Sequence, residues 1–174
     1  HGAYRLWSVY LFEQLASRGF VVLSVRYQDN LGAMDIPIYE SFISRPDDVT
    51  RQIDYASTMP DLVDIERVAV IGHSFGGYTA LAAGGAQLDM NFYAEWCDEY
   101  SELDPVGCQQ VLGNLDAMAT LAGLDTVPED LWPSRGDSRV DVIVTLSPGG
   151  RYFGPMGTVG VSVPTLLIGG SADT

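Results

Sequence analysis

The chain has 174 residues, about one domain's worth. Nine basic residues, all arginine, stand against 23 acidic ones, a net charge of −14, and 47% of residues are apolar. That apolar share excludes a disordered chain, and the negative surplus argues against nucleic acid or an anionic membrane face as partner. No apolar run approaches the roughly 18–20 residues that a spanning helix needs.

In chain order, Leu6, Tyr10, Leu11 and Leu15 recur at helical spacing and Gly19 follows as a stop, which predicts a helix over 6–17. Phe20 to Val25 is a short β-branched run and predicts a strand buried on both faces. Residues 27–44, with Gly32 and Pro37, read as a loop. A second helix is expected to open at Pro46, which suits a first turn, with Asp47 and Asp48 at its positive end and Pro60 at its close. Arg67 to Ile71 predicts the next buried strand, and the Ala- and Gly-rich stretch 75–86 a closely packed helix. Residues 87–138 carry eleven carboxylates against Arg135 alone, with weak periodicity, and read as an acidic, lid-like insert in a less charged core formed by 1–86 and 139–174. Val140–Leu146 and Thr165–Ile168 predict two more strands. Strands alternating with helices mean parallel βαβ units, so the class is α/β, with a mostly parallel sheet covered by helices on both faces.

Gly72-His73-Ser74-Phe75-Gly76-Gly77 follows one predicted strand directly and opens a predicted helix. A G-x-S-x-G in that setting is a nucleophile elbow. The cramped turn lifts a serine hydroxyl above the carboxyl ends of the strands, and side chains at Gly72 and Gly76 would collide across it. The N–H of Phe75, at the helix start, faces the place where a carbonyl oxygen gains charge during attack. A serine hydroxyl needs a base, ordinarily a histidine held by a carboxylate. Only two histidines are present. His73 sits on the turn itself, pointing away from Ser74, and reads as a packing residue. His1 lies upstream, whereas the chain order in such a fold is Ser, then acid, then His. The base is thus expected outside these 174 residues. Asp173, just past the last predicted strand on the side where the elbow emerges, is the candidate acid; its other reading is a loop residue capping a turn. Asp141 starts its strand, at the wrong end of the sheet.

Taken together, His1-Gly2, the helix ending Leu15-Ala16-Ser17-Arg18-Gly19-Phe20, Arg45-Pro46-Asp47-Asp48, the elbow, and Gly170-Ser171-Ala172-Asp173 resemble the α/β-hydrolase superfamily. Within it they are most similar to the dienelactone-hydrolase-like branch, which includes platelet-activating-factor acetylhydrolases and bacterial cutinase-type polyester hydrolases. The resemblance covers the chain outside 87–138. It implies that the residue after His-Gly gives the second oxyanion donor, here the N–H of Ala3, with Tyr4 as rival because the loop is short. It places Ser147 where acetylhydrolases carry their acid, which favours Asp173 here. It also implies a histidine one strand beyond Thr174, and hence that this chain is an internal stretch with an incomplete core.

Cys97 and Cys108 lie in the insert without zinc-site spacing, so no metal is expected. A disulfide between them, worth roughly 3 kcal/mol, and two reduced thiols are the rival readings; the disulfide is favoured, and with it a secreted or periplasmic rather than cytoplasmic protein. The insert's aromatics Phe92, Tyr93, Trp96, Tyr100 and Trp132, with Tyr152 and Phe153, either form an apolar acyl pocket or fill a core. The expected activity is that of a serine ester hydrolase using no cofactor, on a small neutral ester, since the acidic surface repels anions. Acyl transfer or peptide hydrolysis would use the same constellation, and a non-catalytic binding protein would do without the histidine.

Overall fold

A computed structural model describes residues 8–25 and 37–171. Eleven elements follow one another there: α1 (Val9–Ala16), α2 (Ile38–Ser57), β1 (Val68–His73), α3 (Phe75–Ala83), α4 (Met90–Tyr100), a 3-10 turn (Ser101–Leu103), α5 (Pro105–Leu112), α6 (Leu115–Leu121), β2 (Val140–Leu146), α7 (Gly154–Gly157) and β3 (Thr165–Ile168). The three strands form a parallel sheet in the order β1-β2-β3, so the fold is α/β as expected. Register aligns His73 with Leu146 and Leu146 with Ile168, which brings all three strands to one carboxyl rim.

Alanine and glycine let α3 lie close on the sheet: Gly76 to Ala83 are all buried, and a Cβ on Gly84 would come within 3.0 Å of the Ile143 side chain. Ile143 and Thr145 of β2 are fully buried. β1 is not the buried strand expected of this run: Ala69, Ile71 and His73 alternate outward and are exposed, because no described element covers that face. At the opposite rim, the Asp141 carboxylate accepts from the Val68 N–H at 2.7 Å and caps the start of β1, far from the elbow end.

Two further expectations fail. Phe20 to Val25 forms no strand among the described residues, and Phe20, Val21 and Leu23 are exposed rather than buried. A strand exists only through its ladder, and this run pairs with no described strand, however β-branched it is. The second helix does not open at Pro46; it starts at Ile38, and Pro46 lies inside it. In a regular helix the Phe42 carbonyl accepts from the N–H four residues on, which Pro46 lacks. The buried Tyr78 hydroxyl, reaching over from α3, donates to that carbonyl at 2.8 Å. Burial pushes the Tyr78 hydroxyl far above its ordinary titration range, so it stays a donor. The proline's missing bond is thus made good from outside the helix, and Phe42, Ile43, Val49, Ile53 and Ala56 continue one apolar stripe past it.

The acidic segment is joined to the core. Tyr93, Cys97, Cys108, Val111, Met118 and Trp132 belong to the same buried cluster as Phe42, Ile53 and Ile143, and α5 and α6 pack on α2. Most of its carboxylates face water, while Asp89 and Asp104 are partly buried and the Asp137 side chain is nearly buried. The Asp89 and Asp104 side chains cap α4 and α5 by accepting from Phe92 and Gly107 N–H groups. A disulfide joins Cys97 of α4 to Cys108 of α5, with Cα atoms 5.8 Å apart. Arg135 forks onto Asp47, at 2.9 and 2.5 Å, and ties the segment's end to α2.

Candidate functional site

The elbow sits where β1 runs into α3. Ser74 occupies that single-residue turn at φ 55°, ψ −120°, a conformation L-residues avoid unless their surroundings enforce it. The enforcement is visible. The Ser74 N–H donates to the Leu146 carbonyl at 2.9 Å, extending the β1–β2 ladder by one step. Its carbonyl accepts from Gly77 (2.8 Å), Tyr78 (3.2 Å) and Gly149 (3.3 Å). With the backbone held from three sides, the half-buried side chain makes no capping bond to α3. A serine at a helix start ordinarily spends its oxygen on the cap; this one does not.

The glycines fit around it. A Cβ on Gly72 would collide with the backbone carbonyl of Gly76, so the obstacle across the turn is that carbonyl rather than a second side chain. A Cβ on Gly77 would lie 2.8 Å from Cβ and 2.9 Å from Cα of Pro148, in the loop leaving β2. That requirement joins the elbow to the 147–149 turn, where Ser147 also has a positive φ of 43° and donates from its N–H to the Ile168 carbonyl at 2.7 Å. Phe75 is the first residue of α3, so its N–H has no acceptor inside the helix and lies at the positive end of the helix dipole.

His73 is exposed at the end of β1, not packed as the sequence suggested, because the strand's alternation turns it outward. Ala3, its rival Tyr4, His1 and Asp173 lie outside the described residues; the chain leading to Asp173 departs from β3, two strands from β1, at the same rim. Among the described residues no group of three or more His, Cys, Asp or Glu is placed to hold a metal, and no helix is long and apolar enough to cross a membrane.

Four of the seven aromatics named from the sequence resolve into a core, while Phe92 and Trp96 are partly buried and Tyr100 is exposed. Tyr93, Trp132, Tyr152 and Phe153 are buried, with Phe42, Tyr78 and Tyr152 meeting edge-to-face at 4.6 to 5.8 Å. Phe153 stacks on Tyr78 at 4.9 Å. They fill space rather than line it. A small cavity of about 20 Å³ lies between α2, α3 and residues 132–135, and an open cleft of about 410 Å³ between residues 23–25 and α2; neither is lined by Ser74.

Two contacts at the elbow escaped the sequence reading. One is the Tyr78–Phe42 bond, whose signal was a proline inside an unbroken helical stripe. The other is Arg45, 2% exposed, with its guanidinium carbon 4.6 Å from the centroid of the Phe75 ring. Arg45-Pro46-Asp47-Asp48 stands out as a motif in the sequence, but its spacing does not place it against the elbow.

No curated protein and no solved structure matches the chain. A family model described as "Alpha/beta hydrolase family" matches residues 1–167. With a parallel sheet, a strand-to-helix turn carrying a strained serine, and that match over nearly all its length, the chain belongs to the alpha/beta hydrolase family.

Proposed function

We propose that the protein is a serine ester hydrolase with Ser74 as its nucleophile. The observation that carries this reading is the Ser74 backbone at φ 55°, ψ −120°, strained, held by four hydrogen bonds, with a side chain that does not cap its helix. Strain of this kind costs about 1–3 kcal/mol and persists where the surroundings over-determine it, which is characteristic of reacting residues.

In the proposed cycle a histidine takes the Ser74 proton as Oγ attacks the ester carbonyl. The Phe75 and Ala3 N–H groups hold the oxyanion, and the histidine returns the proton to the departing alcohol. Water, deprotonated by the same histidine, then splits the acyl-enzyme to release the acid and restore Ser74. Asp173 orients the histidine, which we place in the protein beyond Thr174. Each oxyanion donor lowers the barrier by about 3–4 kcal/mol. The motif set supports the dienelactone-hydrolase-like branch, the net charge of −14 supports a neutral ester over an anionic one, and the Cys97–Cys108 disulfide supports a secreted or periplasmic setting. In this reading residues 87–138 are a lid-like insert that overhangs the site.

The test is hydrolysis of p-nitrophenyl esters of increasing acyl length by the product of the complete reading frame. Turnover that falls at least about a thousandfold in Ser74→Ala supports the reading. A folded protein without turnover, or a complete frame lacking a downstream histidine, favours the binding-protein alternative instead.

A further inference from the structure

Phe75 has two parts with different duties. Its N–H is the proposed oxyanion donor, while its ring is gripped from several directions. Tyr78 stacks on the ring nearly parallel at 5.1 Å, Phe42 meets it edge-on at 5.0 Å, and the Arg45 guanidinium lies over it at 4.6 Å. Phe42 and Arg45 both come from α2, in the turn just before Pro46, where the proline takes away the backbone bond to the Phe42 carbonyl, and Tyr78 donates to that carbonyl instead. The same three residues therefore fix α2 to α3 and clamp one ring.

Burying an arginine is costly, and a purely structural need at this position would be met at lower cost by an apolar side chain. What a guanidinium adds is a flat, weakly hydrated cation that stacks on an aromatic face. A backbone donor is effective only when it is held at about 2.7–3.1 Å from the oxyanion, and displacements of about 1 Å cost around a hundredfold in rate. The peptide plane that carries the Phe75 N–H is set by Ser74 on one side and by the Phe75 Cα on the other. Ser74 is pinned through its backbone; the Phe75 Cα is pinned through its ring.

We propose that Arg45 is a positioning residue for the oxyanion hole, acting through the Phe75 ring and touching no substrate. The inference rests on the ester-hydrolase reading and deepens it. Its test uses the complete protein with p-nitrophenyl butyrate as probe, in the Arg45→Met, Arg45→Lys and Phe75→Leu variants and the Arg45→Met/Phe75→Leu pair, each checked for a cooperative melt. Arg45→Met is expected to lower kcat by about tenfold to a hundredfold with KM within about twofold, and Arg45→Lys, which keeps a cation on the ring, to lose less. Once Phe75→Leu has removed the ring, adding Arg45→Met should cost no more than about twofold further, because the two side chains act as one unit. A structural staple would instead lower the melting temperature and leave kcat in place, which would overturn the inference, as would kcat losses that multiply in the pair. If Arg45→Met does not fold, Arg45→Lys takes its place in the cycle. If neither folds, Phe75→Leu decides alone, and an unchanged kcat there overturns the inference. A protein with no turnover and no labelling of Ser74 loses the hydrolase reading and this one with it; turnover that ignores Arg45 removes the inference only.

Discussion

Ser74 combines a conformation that favours glycine with a side chain that glycine lacks. The backbone at φ 55°, ψ −120° opposes stability, and only the hydroxyl gives a reason to keep it. Stability and activity should therefore separate at this residue. Ser74→Gly is expected to raise the unfolding free energy by about 1 kcal/mol in urea titration while abolishing ester turnover. A variant less stable than the parent would mean that the turn is not strained in solution. The next residue but three carries the opposite prediction. Tyr78→Phe strips the hydroxyl that donates to the buried Phe42 carbonyl and should cost about 1–3 kcal/mol. An unchanged denaturation midpoint would show that water reaches Phe42.

Among the elements, α2 shows how a tertiary contact overrides a local rule. Pro46 with two following aspartates has every mark of a first turn, and a reading confined to neighbours in sequence places the helix start there. What decides otherwise is one hydroxyl from α3, 32 residues later in the chain by number, and no local pattern announces it. The run 20–25 fails for a related reason, since its composition records a preference and a strand needs a partner. By contrast β2 and β3 fall where the apolar runs put them, because each finds a ladder partner, β2 beside β1 and β3 beside β2, although only β2 is buried and β3 is exposed along its length. The disulfide between α4 and α5 belongs to this scale as well. Replacing Cys97 and Cys108 by alanine should lower the unfolding free energy by about 3 kcal/mol, read by calorimetry against the oxidised parent. No change in the melting transition would mean that the shared core, and not the bond, holds the two helices.

At the scale of the whole molecule, the surplus of carboxylates is spread over a surface that a few arginines organise. Arg139 bridges Asp137 and Asp54 at 2.6 and 2.8 Å and so pins the entry to β2 against α2. Its hydrogen bonds hold the Asp137 carboxyl down to about 2, below the ordinary 3.8. A carboxyl lowered in the folded state stabilises fully above its unfolded pKa and loses that contribution as pH falls through its folded one. The stability gap between the parent and Asp137→Asn should thus be widest above about pH 4 and close towards pH 2, measured by urea midpoints across that range. A gap independent of pH would assign the effect to packing. The elbow was legible in sequence because its chemistry needs a fixed spacing of glycines around one serine between a strand and a helix. The clamp of Arg45, Phe42 and Tyr78 on Phe75 was not, because it joins side chains from separate helices whose approach only the folded core defines.

The most direct measurement is mass mapping of the complete protein after treatment with a fluorophosphonate. The expected result is a single stoichiometric adduct on the hydroxyl of Ser74, absent from Ser74→Ala and slowed in Arg45→Met. An adduct on another residue, or none on a folded protein, would contradict it.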